Sequence, residues 1–213
     1  MEEEASLRIG KAEISVVKMK KINQAIRFSD QLKNQSIKFI GISGSVSYEP
    51  KEEDDVDVFI ISEKKRLWTV ILRALIIRRF VKNRDICLSL FMDAEYAANF
   101  YSGKMSPLKI SDARKVIPIH GSDFYSELLK KLDGHSREFN FNSHVIQSLI
   151  DCLIFIFLAP FLYIKTTINS NRDVARKGQL AKFNPKISRR FFYLDSEKYR
   201  IYEREFNGGQ NNG

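Results

Sequence analysis

The stretch Phe39–Ile61 reads F-I-G-I-S-G-S-V-S-Y-E-P-K-E-E-D-D-V-D-V-F-I-I. An apolar run, Ile37 to Ile42, suits a buried strand. A turn of small residues follows, Ser43-Gly44-Ser45-Val46-Ser47, and then a polar loop holding Pro50 and a cluster of acids. A second apolar run, Val56 to Ile61, emerges from that cluster and sets Asp55 and Asp57 two positions apart. On a strand, residues at that spacing project to one side, with Val56 and Val58 on the other. Neighbouring carboxylates repel each other, so a fold that keeps them together usually sets a cation between them. Magnesium suits that role, being hard, oxygen-seeking and commonly shared between carboxylates and substrate phosphates. The turn before them can offer backbone N–H groups to a phosphate, because Gly44 permits close approach.

Gly44-Ser45, nine residues, then Asp55-Val56-Asp57-Val58 resembles the signature of the polymerase-beta-type nucleotidyltransferase superfamily. In that family a hydrophobic strand leads into Gly-Gly or Gly-Ser, and Asp-hydrophobic-Asp-hydrophobic follows after a spacer of similar length. The resemblance implies an α/β fold: a small mixed sheet with helices packed on one face. It also implies that Gly44 and Ser45 contact the phosphates of a nucleoside triphosphate, and that Asp55 and Asp57 hold two magnesium ions. A third carboxylate is implied on a later strand. The implied activity is transfer of a nucleoside monophosphate to an acceptor, which nothing in the sequence identifies.

The later strand is Ile86 to Met92, I-C-L-S-L-F-M, flanked by Asp85 and Asp93. Alternation turns Cys87 and Ser89 toward the aspartates, and neither is a carboxylate. Asp85, at the start of the strand, is therefore the candidate third ligand, while Asp93 suits the N-cap of the next helix. The competing reading is a catalytically weak or inactive module that binds nucleotide or RNA without turnover. The strand at 86–92, Ala97 to Tyr101, and Ile117 to Gly121 resemble a prokaryotic subgroup of nucleotidyltransferase-like proteins. There, too, the third carboxylate is not evident.

The 213-residue chain has length enough for one large or two small domains. A net charge of +9 favours polyanionic partners such as RNA, DNA or anionic lipid, although a general lysine and arginine bias reads the same way. Cys87 and Cys152 both lie in apolar runs and read as core residues of a reducing compartment. The acidic start, Met1 to Glu4, carries no apolar leader, so a cytoplasmic location is expected.

In chain order, residues 1–10 read as frayed, and helical periodicity runs from Ala12 to Lys33, with Lys18, Lys20 and Lys21 on a solvated face. Leu67 to Phe80 reads as a crossover helix with a basic flank. Helices are also expected over Asp93 to Tyr101 and residues 123–132, with a helix end or short strand over Ser111 to Gly121. His120 is a candidate base or phosphate contact, against the plainer reading of a loop histidine. The polar, turn-rich run Asp133 to Asn142 marks a boundary between a nucleotidyltransferase-like domain, 12–135, and a helical C-terminal extension, 140–206.

That extension opens on the most apolar run, Leu149 to Ile164, interrupted by Asp151 and Pro160. It is short of the ~20 residues that span a bilayer. A helix buried on the first domain is the leading reading. A membrane-embedded or interface hairpin, a peripheral membrane contact through 149–164 and a homodimer contact remain open beside it. The basic residues from Arg172 to Arg190 suit RNA phosphates and lipid headgroups equally. The aromatic residues between Phe191 and Phe206 are spaced as a helix face, suited to core packing or to base stacking. Gly208 to Gly213 reads as a disordered tail.

Overall fold

The computed structural model describes residues 2–80, 85–134, 139, 141 and 145–210, with the side chains of 2–15, 177 and 207–210 outside that description. In chain order the elements are α1 (Glu2–Leu32), β1 (Ile37–Ser43), a 3-10 turn (Gly44–Ser47), β2 (Val56–Ser62), α2 (Leu67–Phe80) and β3 (Ile86–Asp93). Then come α3 (Ala94–Ser102), α4 (Pro107–Lys115), β4 (Ile117–His120), α5 (Ser122–Leu132) and α6 (Val145–Lys177). A 3-10 turn (Gln179–Ala181), β5 (Phe183–Ile187), β6 (Phe191–Ser196) and α7 (Glu197–Gln210) complete the chain.

The strands form one mixed sheet of six, in the order β4-β1-β2-β3-β6-β5. Only the β2–β3 pair is parallel, and α2 makes the crossover that such a pair needs. Antiparallel pairing joins β1 to both β2 and β4, β3 to β6, and β6 to β5.

Alternation along the strands feeds two cores. Ile40, Ile42, Val56, Val58 and Ile60 pack with Phe28 and Leu32 of α1, Trp68 and Ile71 of α2, and Leu162 of α6. Phe39, Phe59 and Ile61 point the other way, against Ala97 and Tyr101 of α3 and Tyr125 and Leu128 of α5. Phe39 stacks on Tyr125 at 4.2 Å between centroids, and the Tyr125 hydroxyl donates to the Ala113 carbonyl at 2.7 Å. The expected α/β sheet is therefore present, but helices cover both of its faces rather than one. A sheet apolar on both sides has to be covered on both sides.

Two further expectations need correcting. Residues 183–196 are not helical: β5 and β6 form a hairpin that extends the sheet beyond β3, with Leu90 opposite Tyr193. The aromatic run 191–206 is thus a strand followed by a helix, and Phe192 is buried in the core that α6 shares. At the other end, α1 starts at Glu2, well before the periodicity begins at Ala12. The boundary at Asp133 to Asn142 lies largely outside the described residues. Of the expected disordered tail, Gly208 to Gly213, residues 208–210 belong instead to α7, and the remainder lies outside the described residues.

Local chemistry explains several element ends. The Asp93 carboxylate accepts from Tyr96 N at 2.7 Å and so caps α3, as its position suggests. It also pairs with Arg190 at 3.2 Å, which ties the β5–β6 hairpin to the end of β3. Ser106 caps α4, and Pro107 occupies its first position, where a missing N–H costs nothing. Asp151, only 1% exposed, accepts from Thr69 N at 2.8 Å and from its hydroxyl at 3.1 Å. A carboxylate inside the most apolar helix is thereby explained: it satisfies an otherwise orphaned donor in the first turn of α2.

Candidate functional site

The register across the central strands builds the site. Ser43 of β1 lies opposite Asp57 of β2, and Asp57 lies opposite Cys87 of β3. Because the 3-10 turn starts directly after Ser43, this row brings Gly44 against Asp57. A β-carbon on Gly44 would come within 2.3 Å of Asp57 Oδ2, and the glycine has a φ of +69°. Both facts demand glycine there. The turn is closed by Tyr48 N donating to the Ser45 carbonyl at 3.0 Å, and Ser47 Oγ donates to the Ile42 carbonyl at 3.0 Å. Gly44 is exposed and Ser45 half-buried.

Asp57 is half-buried on the same side of the sheet as Phe59 and Ile61, just past the end of their apolar core. Burial pushes its pKa up to about 6; the nearby charges of Asp55 and Asp54 push the same way, while hydrogen bonds from Cys87 and Ser89 oppose them. The Cys87 thiol is itself held protonated by burial and by the Asp57 charge. Asp55 is exposed at the mouth of the same strand.

Of the five residues singled out in the sequence, Gly44, Ser45, Asp55 and Asp57 come together around one end of β2. Asp85 is close in register, since its carbonyl accepts from Val56 N at 2.7 Å. Its carboxylate, however, accepts from Gln24 Nε2 of α1 at 3.2 Å. The strand positions beside Asp57 belong to Cys87 and Ser89, as alternation implied. Among the described residues, no group of three His, Cys, Asp or Glu side chains is arranged to hold a metal ion. His120 sits elsewhere, in a groove of about 270 Å³ between α1 and β4 that Ile22, Ile26 and Lys33 also line.

The residues that shape the loop between the turn and the aspartates were not apparent as such in the sequence. Lys18 Nζ donates to the Tyr48 carbonyl at 3.2 Å, and Lys21 Nζ donates to the carbonyls of Glu52, at 3.0 Å, and Asp54. Lys21 is 5% exposed, so these lysines are tethers rather than a solvated face. A signal for this existed: Lys18 and Lys21 continue the 3-4 spacing of Ala25, Phe28 and Leu32, the stripe of α1 that enters the core. On the far side of the loop, the Tyr48 and Tyr199 hydroxyls both donate to Asp112 of α4, the latter at 2.7 Å. Lys115 Nζ lies 4.1 Å from the centre of the Tyr48 ring. The C-terminal helix α7 thus reaches back to the loop that carries the candidate site.

Three cations near the sheet are engaged structurally. Lys64 pairs with Glu95 at 3.0 Å, Arg66 donates to Ser36 and Gln147, and Arg73 donates to the Gln31 carbonyl at 3.1 Å. They form the basic flank expected of α2. Set against known protein families, curated proteins and solved structures, the chain has no significant match in any of the three.

Proposed function

We propose that this end of the sheet is a metal-dependent nucleotide site, and that the protein transfers a nucleoside monophosphate from a nucleoside triphosphate to a hydroxyl or phosphate of an acceptor. The observation that carries this reading is the contact between Gly44 and Asp57. It unites a phosphate-compatible turn with an aspartate pair in one small surface, the arrangement that the resemblance to polymerase-beta-type nucleotidyltransferases implies.

The donor set fits a hard divalent cation. Asp55 and Asp57 supply oxygen ligands, and the negative charge gathered around Asp57 is what a bound cation would relieve. A second ion would draw on Asp85, whose Oδ2 accepts from Gln24. Magnesium, when bound, would acidify the attacking hydroxyl and neutralise charge on the departing pyrophosphate. The chain's own contribution is positioning. The exposed Gly44 and the N–H groups of its turn approach the phosphates, while Lys18 and Lys21 hold the loop that fixes the distance from turn to aspartates.

A second reading, a nucleotide- or RNA-binding module without turnover, is favoured by one specific observation. The position opposite Asp57 on β3 is a protonated thiol, Cys87, and not a carboxylate.

Titration calorimetry of ATP, with and without magnesium, into wild type and Asp57→Asn tests the site. Magnesium-dependent binding that the substitution abolishes is the expected result, and equal behaviour of the two proteins would overturn the proposal. Incubation of the protein with α-labelled ATP and total cell extract then separates the readings. Label moved to any acceptor supports transfer; binding without transfer supports the module.

A further inference from the structure

The helix α6 has two unlike sides. One belongs to the core: Asp151 holds Thr69, the Phe155 ring lies 4.9 Å from Trp68, and Ala159 and Leu162 are buried. The other is apolar and open to solvent, with Val145, Leu149, Leu153, Phe157, Phe161 and Ile164 all more than half exposed. Phe157 is 78% exposed. These residues recur at three and four and so form one continuous stripe, about 28 Å long from Val145 to Ile164. An open apolar groove of about 400 Å³ runs along it, lined by Ile156, Pro160, Tyr163 and Ile187 among others. A face of this kind marks an interaction surface.

Charge at its two ends selects the occupant. Exposed Arg189 donates to Ser148 Oγ at 3.3 Å and so flanks the N-terminal end of the stripe. Exposed Lys165, Arg172 and Arg176 follow its C-terminal end. The acidic residues of α6 are Asp151, which is buried, and Asp173, which is half-buried. Two copies packed through this face would set cations against cations whether the helices ran parallel or antiparallel. An anionic lipid surface satisfies the apolar stripe and both basic ends together.

We propose that α6 docks the protein on anionic membranes, lying in the plane of the interface with its exposed stripe among the acyl chains and the flanking cations on headgroups. By length and composition α6 would suffice to cross a membrane. It does not cross, because crossing would strip Asp151, Ala159 and Leu162 from the domain core, and a buried carboxylate would lose the donors that satisfy it. The groove along Pro160 and Ile187 accommodates an acyl chain at this surface.

Sedimentation of the full chain with lipid vesicles tests the proposal. Vesicles of phosphatidylcholine mixed with phosphatidylglycerol are expected to carry the wild type down, less so at high salt, and phosphatidylcholine alone to carry down little. Phe157→Glu is expected to weaken binding by about tenfold or more, since that side chain would no longer enter the acyl layer. Arg172→Glu with Arg176→Glu should weaken binding to the anionic vesicles only. All these side chains face solvent, and unchanged thermal melting of the variants confirms that they fold. Failure of the wild type to bind anionic vesicles at low salt would overturn the proposal. So would a wild-type dimer in sedimentation velocity that Phe157→Glu converts to monomer, or retention in the bilayer through an alkaline carbonate wash.

Discussion

Gly44 lies directly against the Asp57 carboxylate: a β-carbon at residue 44 would meet Oδ2 at 2.3 Å. The turn after β1 and the second aspartate are therefore one mechanical unit, and a change in either is felt by the other.

Gly44→Ala introduces both a clash and a side chain at positive φ. We expect a loss of about 1–3 kcal/mol in denaturant unfolding. Adding Asp57→Ala should restore the part owed to the clash and leave the part owed to φ. Strict additivity of the two substitutions would mean that they do not touch.

The raised pKa of Asp57 makes stability depend on pH. In the folded protein the group titrates at about 6, against an ordinary value of 3.8. Between those values the native state keeps a proton that the unfolded chain releases, so stability falls as pH rises and stays low above the folded pKa. The ionised group then costs on the order of 3 kcal/mol. Asp57→Asn should accordingly be more stable than wild type near about pH 8, with the gain gone near about pH 4. Melting curves across that range decide it.

Cys87→Asp would set a third carboxylate opposite Asp57. Without divalent ions, its melting temperature should fall below that of wild type above about pH 6, because like charges crowd. Excess magnesium should recover the loss and shift the variant more than the wild type. Equal shifts in the two proteins would show that this pair does not engage the ion.

Lys21→Met removes the donor shared by the Glu52 and Asp54 carbonyls. Faster hydrogen exchange is expected in the loop 51–55, with exchange in β2 beyond Val58 little changed. If the site reading holds, affinity for magnesium–ATP should drop although no residue of the aspartate pair is altered.

Asp151→Leu leaves Thr69 N without its side-chain acceptor at the part-buried contact between α2 and α6. We expect a cost of about 1–3 kcal/mol, most of it recovered by Asp151→Asn, which keeps an acceptor oxygen. Burial raises the Asp151 pKa while the Thr69 bonds lower it, so a neutral acceptor suits the position.

Much of this molecule was legible along the chain because local rules govern it. Period-two alternation turned Cys87 and Ser89 toward Asp57. Turn chemistry ended β1 at the Gly44 turn, and capping preference gave Asp93 its place at the start of α3. Lys21 was harder to read, since a lysine on a helix is normally solvated, and only its place in the Ala25–Phe28–Leu32 stripe marked it as inward.

What the sequence alone determined is the unit from β1 through β3: strand, glycine turn, acidic loop, strand, crossover helix, strand. Each step there carries a local sequence signal of its own, in alternation, turn residues or helical periodicity. What only the tertiary structure decided depends on distant partners. The run from Phe191 reads as part of a helix face, and pairing with the open edge of β3 made it β6. The Asp85 carboxylate settled on Gln24, which no spacing within β3 encodes. Over residues 149–164 of α6, a run with no clear polar face, packing against Trp68 and Ile187 chose the buried side and left Phe157 facing out, because a uniform apolar pattern carries no information about which side meets the core.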